Sequence, residues 1–245
     1  MGWAMTAIGV NSSPASGLAR RFYLIMAVLI GATIVAGFSR TVPDALTTPP
    51  GLPLLLHVHG FVFLSWLVLF AVQPWLIGAG NIALHRKLGW AGATLALLMT
   101  VMGVAATLFA LATHIVPPFF PPSIFLAMNL IGIAFFAGLV TTAVVLRKSG
   151  DWHKRLLLCA TCLLLGPGLG RLLPMPSFGA AAPLVMFAVL DLYLFAGPVF
   201  DLFTRRRIHP AYLWGVPVVL LSEILIGPVG MAPPTIALAH KLAGG

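Results

Sequence analysis

Seven long apolar runs, joined by short turns, occupy most of this 245-residue chain. A run of about 20 apolar residues, coiled as an α-helix, matches the roughly 30 Å hydrocarbon core of a bilayer. Only 8% of the residues are charged, against the roughly 25% of an ordinary soluble domain. So few charges cannot cover a water-facing surface of this size, so lipid must be the outer solvent. The expected fold is an all-α integral membrane protein of about seven transmembrane helices. No polar linker divides the chain, and one membrane domain is expected.

The first run spans Phe22 to Phe38, after Arg20 and Arg21. It is longer than the apolar core of a secretory signal, and a charge-free segment precedes the arginines, so it is read as a retained helix. The next runs cover 52–77, 88–113, 123–146, 156–173, 183–203 and 210–228. Pro174 and Pro176 end the fifth, and Pro210 suits the first turn of the seventh. The domain reading is a cytoplasmic segment over 1–21, a membrane domain over 22–230 and a short periplasmic tail over 231–245.

Charge placement tests the count. With the N-terminus inside, the cytoplasmic segments hold Arg20, Arg21, Arg86, Lys87, Arg147, Lys148, Lys154, Arg155, Arg205, Arg206 and Arg207, and the other side holds Arg40, Arg171 and Lys241. That split obeys the positive-inside rule, and a miscounted helix would spoil it. The C-terminus is then periplasmic. The net charge of +9 sits in turns rather than on one basic face with aromatics, which argues against nucleic acid as a partner.

Ionisable residues inside a bilayer are costly and usually have a partner or a task. His57 and His59 lie near the outer end of the second helix, about 200° apart on an ideal helix. Both can face one site only if the backbone is irregular near Gly60. His59, Trp66 and Gln73 recur every seven residues and form one polar and aromatic stripe, expected to face the bundle interior. Asp191 and Glu223 fall in the outer half of helices 6 and 7, and Arg171 and His114 close the same side. Imidazole and carboxylate together suit a transition metal (Zn, Fe, Mn or Cu), and neutral histidine also binds haem iron, here haem b. The expected ligands are His59, His57, Asp191, Glu223 and His114, with Trp66, Gln73 and Arg171 lining the pocket. A plainer arrangement pairs Asp191 with Arg171.

The inner side carries a second set, His85, His153 and His209, with Asp151 and Asp201. The recurring histidines in the basic turns hint at a repeat of helical hairpins and at a second ligand set. In the plainer reading Asp151 is an N-cap and the basic residues meet anionic headgroups. Cys159 and Cys162 share a helix face within an apolar run, away from the helix start that a redox Cys-x-x-Cys prefers, and are read as small packing residues. A helix-7 lysine, an H-E-x-x-H and a P-loop are all absent.

The motifs Leu56-His57-Val58-His59-Gly60, Leu84-His85-Arg86-Lys87-Leu88-Gly89-Trp90, Asp151-Trp152-His153-Lys154-Arg155-Leu156 and Arg207-Ile208-His209-Pro210 resemble those of uncharacterised multi-pass proteins of bacterial inner membranes. The resemblance covers about residues 20–230 and implies that location. A looser likeness is to helical b-type cytochromes, but His85 and His114 are separated by about 43 Å of helix, beyond their usual haem ladder.

Three functions are consistent with these residues. The first is a membrane-embedded metal- or haem-binding protein with a redox role, its site in the outer half of the bundle. The second is a proton-coupled small-molecule transporter or binding protein, in which Asp191 and Glu223 carry protons. The third is a structural or assembly subunit. The bilayer is the expected surrounding, with a homo-oligomer or larger membrane complex as the expected assembly.

Overall fold

The computed structural model describes residues 14–49, 51–117 and 119–244. The first part of the expected N-terminal segment, residues 1–13, and Pro118, between the third and fourth apolar runs, lie outside them. Every regular element among the described residues is helical: α1 (Pro14–Phe38), α2 (Val42–Thr47), α3 (Leu54–Gly78), α4 (Ile82–Ala112), α5 (Pro122–Val145), α6 (Gly150–Cys162), α7 (Leu165–Leu172), α8 (Ala182–Arg205), α9 (Pro210–Gly230) and α10 (Pro233–Leu242), with a 3-10 stretch at Met175–Ala181 before α8. Seven spans are long and apolar enough to cross a membrane, with α6 and α7 forming one of them and the 3-10 stretch joining α8.

The surface is that of a lipid-facing bundle. Leu54, Phe61, Leu184, Leu192 and Phe203 are each more than 70% exposed. A water-soluble monomer does not display large apolar residues over all its outer helices. The α6–α7 span is the most buried of the seven. α6 packs on α5, α9, α8 and α1, while α3 packs on α1 and α4. Small residues let helices approach where lipid offers no hydrophobic drive for association. A Cβ on Gly37 of α1 would collide with the Gly168 carbonyl of α7, and one on Gly168 would stand 2.9 Å from the Ile34 Cα.

Contacts between helix ends fix which turns lie together. Arg20 Nη1 donates to the Gly78 carbonyl (3.3 Å), joining the start of α1 to the end of α3. Arg147 at the end of α5 sits over the Trp90 ring on α4, 5.0 Å from its centroid. His153 on α6 bonds the Ala143 carbonyl of α5 through Nδ1 (2.8 Å). Arg155 on α6 reaches Asp201 on α8. The eleven basic residues read as inner therefore share one end of the bundle. Arg40 and Arg171 lie at the other, where Arg171 Nε donates to Thr41 Oγ1 (3.1 Å).

Several elements differ from the reading of hydropathy: α1 starts at Pro14, eight residues before its apolar run, and the short α2 was not expected. α4 and α6 each start six residues before the apolar run, at Ile82 and Gly150, so His85 to Lys87 and Asp151 to Arg155 are helical. Helix geometry does not stop where lipid stops, and long basic side chains carry their charge back to the headgroups. The fifth span is broken at Leu163 and Leu164. Pro167 has no N–H for the Leu163 carbonyl, its ring crowds that carbonyl, and Gly166 and Gly168 weaken the helix on both sides. Leu164 N turns to Thr161 O instead (3.1 Å). The residues read as a tail contain α10, which packs on α5 and α4, with Ala239 against Leu111 and Leu126.

Candidate functional site

Two polar regions lie inside the bundle, one at mid-depth and one at the basic end.

The mid-depth region is built on the broken helix. From the basic end, Cys162 lies about 18 Å up α6, Glu223 about 20 Å up α9 and Asp191 about 21 Å up α8, at 1.5 Å per residue. They are therefore nearly level. Asp191 is within electrostatic reach of Glu223 and of Cys162. Asp191 Oδ1 and Glu223 Oε1 are both shielded from solvent without a hydrogen-bond partner. Arg171 does not pair with Asp191. Its Nη1 donates to the Pro167 carbonyl (2.8 Å), its Nε to Thr41, and its guanidinium stacks 4.2 Å from the Phe38 centroid. The cation expected beside Asp191 is thus held at the rim by the α7 backbone and Thr41.

α3 runs as one unbroken helix, so His57 and His59 diverge. His57 is exposed and its Nδ1 turns back to the Pro53 carbonyl (3.2 Å). His59 points inward, stacked on Phe63 with centroids 4.2 Å apart and set beside the Met102 backbone of α4. Its Nδ1 is buried without a partner. The His59, Trp66 and Gln73 stripe faces the interior as expected. Trp66 is buried and its Nε1 donates to Thr161 Oγ1 on α6 (3.4 Å), one residue before Cys162, while Gln73 Oε1 is buried and unpartnered. His114 sits exposed beyond α4 with φ 57° and does not join the others. Among the described residues no three His, Cys, Asp or Glu side chains converge as a metal cage. A direct centre built from His57, His59, Asp191, Glu223 and His114 is therefore not assembled here.

The basic end holds what sequence reasoning passed over. Arg155 is 2% exposed and Asp201 0%. Arg155 Nε donates to Asp201 Oδ2 (2.9 Å) and its Nη2 to Oδ1 (2.5 Å), a bidentate pair. Its Nη1 donates to Asp151 Oδ1 (2.7 Å) and to the Asp151 carbonyl (2.9 Å). Asp201 Oδ2 also accepts from the His209 backbone N–H (3.1 Å). Lys154 and Arg205 complete the shell around Asp151, at 2.7 and 3.4 Å. Asp151 is thus not the N-cap; Ser149 holds that position and Asp151 gathers three cations instead. Beneath the pair, Tyr212 and Tyr23 share a buried hydrogen bond (3.2 Å), and Tyr212 fits against Gly197, where a Cβ would strike its ring. The signal available in the sequence was Arg155 itself, one helical turn deeper than Asp151, at a depth where a lone cation needs a carboxylate.

The three histidines of the basic end stand in three different settings, which weakens the idea of a repeat. His153 Nδ1 is held by the Ala143 carbonyl, His209 Nδ1 accepts the Ala211 N–H (3.1 Å) and caps α9, and His85 Nδ1 is buried without a partner. Burial, and then the neighbouring Arg155, hold the His209 imidazole below its usual value. Cys159 and Cys162 are buried free thiols packed in the core, as their place in the run predicted.

No protein-family model matches this chain, and no curated protein or solved structure matches it either.

Proposed function

We propose that the chain is a proton-coupled carrier of a small solute, with Asp191 and Glu223 as its proton-carrying groups. One observation carries this reading: two carboxylates lie within electrostatic reach of each other at mid-membrane depth, each with a shielded, unpartnered oxygen, and the cation expected beside Asp191 is engaged elsewhere. Carboxylates in lipid need a proton or a cation as partner, and such groups commonly mark proton paths. The break at Leu163 and Leu164, next to Cys162, which is within electrostatic reach of Asp191, supports the reading, because discontinuous helices in carriers free backbone groups near the bound solute and supply a flexible point.

Infrared difference spectra of the lipid-reconstituted protein across a pH titration test the assignment without knowledge of the solute. A protonated-carboxyl band that titrates in the wild type and is lost or shifted in both Asp191→Asn and Glu223→Gln is the expected result. A band unaffected by either substitution refutes the proton-carrying role. Vesicle uptake driven by a pH gradient, abolished in the same variants, then identifies the solute class.

A second reading is favoured by the orphaned imidazole nitrogens of His59 and His85. Each would gain a partner in a metal or haem iron, giving the chain a redox role. Optical spectra of oxidised and reduced protein, with elemental analysis, decide it. A Soret band or stoichiometric metal that is lost in His59→Ala supports this reading, and neither signal in freshly extracted membranes refutes it.

A further inference from the structure

We infer that a groove between α1 and α3 at the basic end is a binding site for the headgroup of an anionic phospholipid. The groove is a cavity of about 310 Å³ lined by Arg20, Arg21, Leu24, Pro74, Trp75 and Gly78, with Ala79 at its edge. It lies where α1 begins and α3 ends, at the depth of the turns between spans. Its upper wall is basic, its lower wall apolar, and Trp75 is 59% exposed beside it. Indole rings settle at the boundary between headgroup and acyl chain, so Trp75 marks that level.

The described residues supply no carboxylate to the groove. The chain has five carboxylates: Asp44, Asp151, Asp191, Asp201 and Glu223. Among the described residues every ion pair uses Asp151 or Asp201, and their partners are Lys154, Arg155 and Arg205. Residues 1–19 contain no acid at all. Arg20 uses one N–H on the Gly78 carbonyl at 3.3 Å, which also fixes the guanidinium against α3 and leaves its other donors free. Arg20 and Arg21 therefore present two guanidinium groups, without a carboxylate, to a cavity at headgroup level. A phosphodiester suits that donor set, and Leu24 and Pro74 continue downward as an apolar track for the attached chain. Basic pockets between membrane helices are known to take such headgroups.

The test is native mass spectrometry of the full chain, released from nanodiscs of equimolar phosphatidylglycerol and phosphatidylcholine. The wild type is expected to retain one phosphatidylglycerol per chain. Arg20→Gln/Arg21→Gln is expected to weaken its retention about thirtyfold, from the usual contribution of two basic residues at the membrane surface. Arg20→Lys/Arg21→Lys keeps the charge and is expected to retain most of the binding. Arg206→Gln/Arg207→Gln, at the same end but outside the groove, is expected to behave as wild type. Since Arg20 also braces α3, thermal unfolding of each variant is measured alongside. Retention of the lipid in a folded Gln/Gln variant, equal loss in the Arg206/Arg207 variant, or displacement by millimolar inorganic phosphate each overturns the lipid assignment, the last in favour of a free-phosphate site.

Discussion

Replacing Arg155 by methionine isolates the energetic role of the buried charge network. The substitution removes the two bonds to Asp201 and the two to Asp151, and it leaves Asp201, which is 0% exposed, with only the His209 N–H. Breaking a buried pair by deleting one partner costs about 3–5 kcal/mol, because the other charge stays behind without compensation. For a chain of this size about 1 kcal/mol lowers the unfolding midpoint by about 2–4 °C, so Arg155→Met is expected to fall by about 6–20 °C. Cys159 and Cys162 provide the assay. They are 1% and 0% exposed, so a thiol-reactive fluorogenic dye reports their exposure on unfolding in detergent at a fixed scan rate. The double variant Arg155→Met/Asp201→Leu removes the orphaned charge and is expected to recover most of the loss, since an apolar replacement of a whole buried pair is often close to neutral. Asp151→Asn is the control: that side chain is 44% exposed, water replaces its partners, and its effect is expected to stay under about 1 kcal/mol. If Arg155→Met melts within about 2 °C of the wild type, the pair does not hold α6 to α8 and the reasoning fails. If the double variant is as unstable as the single one, the cost lies in shape and not in unpaired charge.

Other sites give independent checks. Gly197→Val should displace the Tyr212 ring, break the Tyr23–Tyr212 bond and destabilise by about 1–3 kcal/mol, seen as a lower midpoint in the same dye assay. Gly37→Ala should separate α1 from α7 at a similar cost of about 1–3 kcal/mol, with an unchanged midpoint arguing against the close backbone contact. His209 supplies a pH signature. Its Nδ1 must keep its lone pair to accept the Ala211 N–H, and burial together with Arg155 keeps its value below the usual one. The unfolded chain therefore takes up the proton first, so stability is full above the ordinary histidine range and is lost as pH falls through it toward the folded value. Comparing midpoints at about pH 7.5 and 5.5 should show this loss in the wild type and a smaller loss in His209→Asn, which caps without titrating. Equal slopes in the two proteins would assign the pH dependence elsewhere.

The sequence by itself determined the number of spans, which end of the bundle is basic, the inward stripe of His59, Trp66 and Gln73, and the packing role of the two cysteines. These depend on terms that add residue by residue: the transfer of each side chain between water and lipid, and the fixed period of a helix. Tertiary structure alone decided which polar groups meet. Whether Asp191 pairs with Arg171 depends on the rotation of α8 and on the Pro167 carbonyl and Thr41 hydroxyl that hold Arg171, and neither appears in a hydropathy pattern. The divergence of His57 and His59 followed from an α3 that stays regular through Gly60. The Arg155–Asp201 pair joins positions 46 residues apart, and nothing local in either segment requires the other. The break at Leu163 lies between these cases: Gly166-Pro167-Gly168 carries a local signal that the hydropathy reading left unused, but its meaning came only from Asp191, which the fold brings near Cys162.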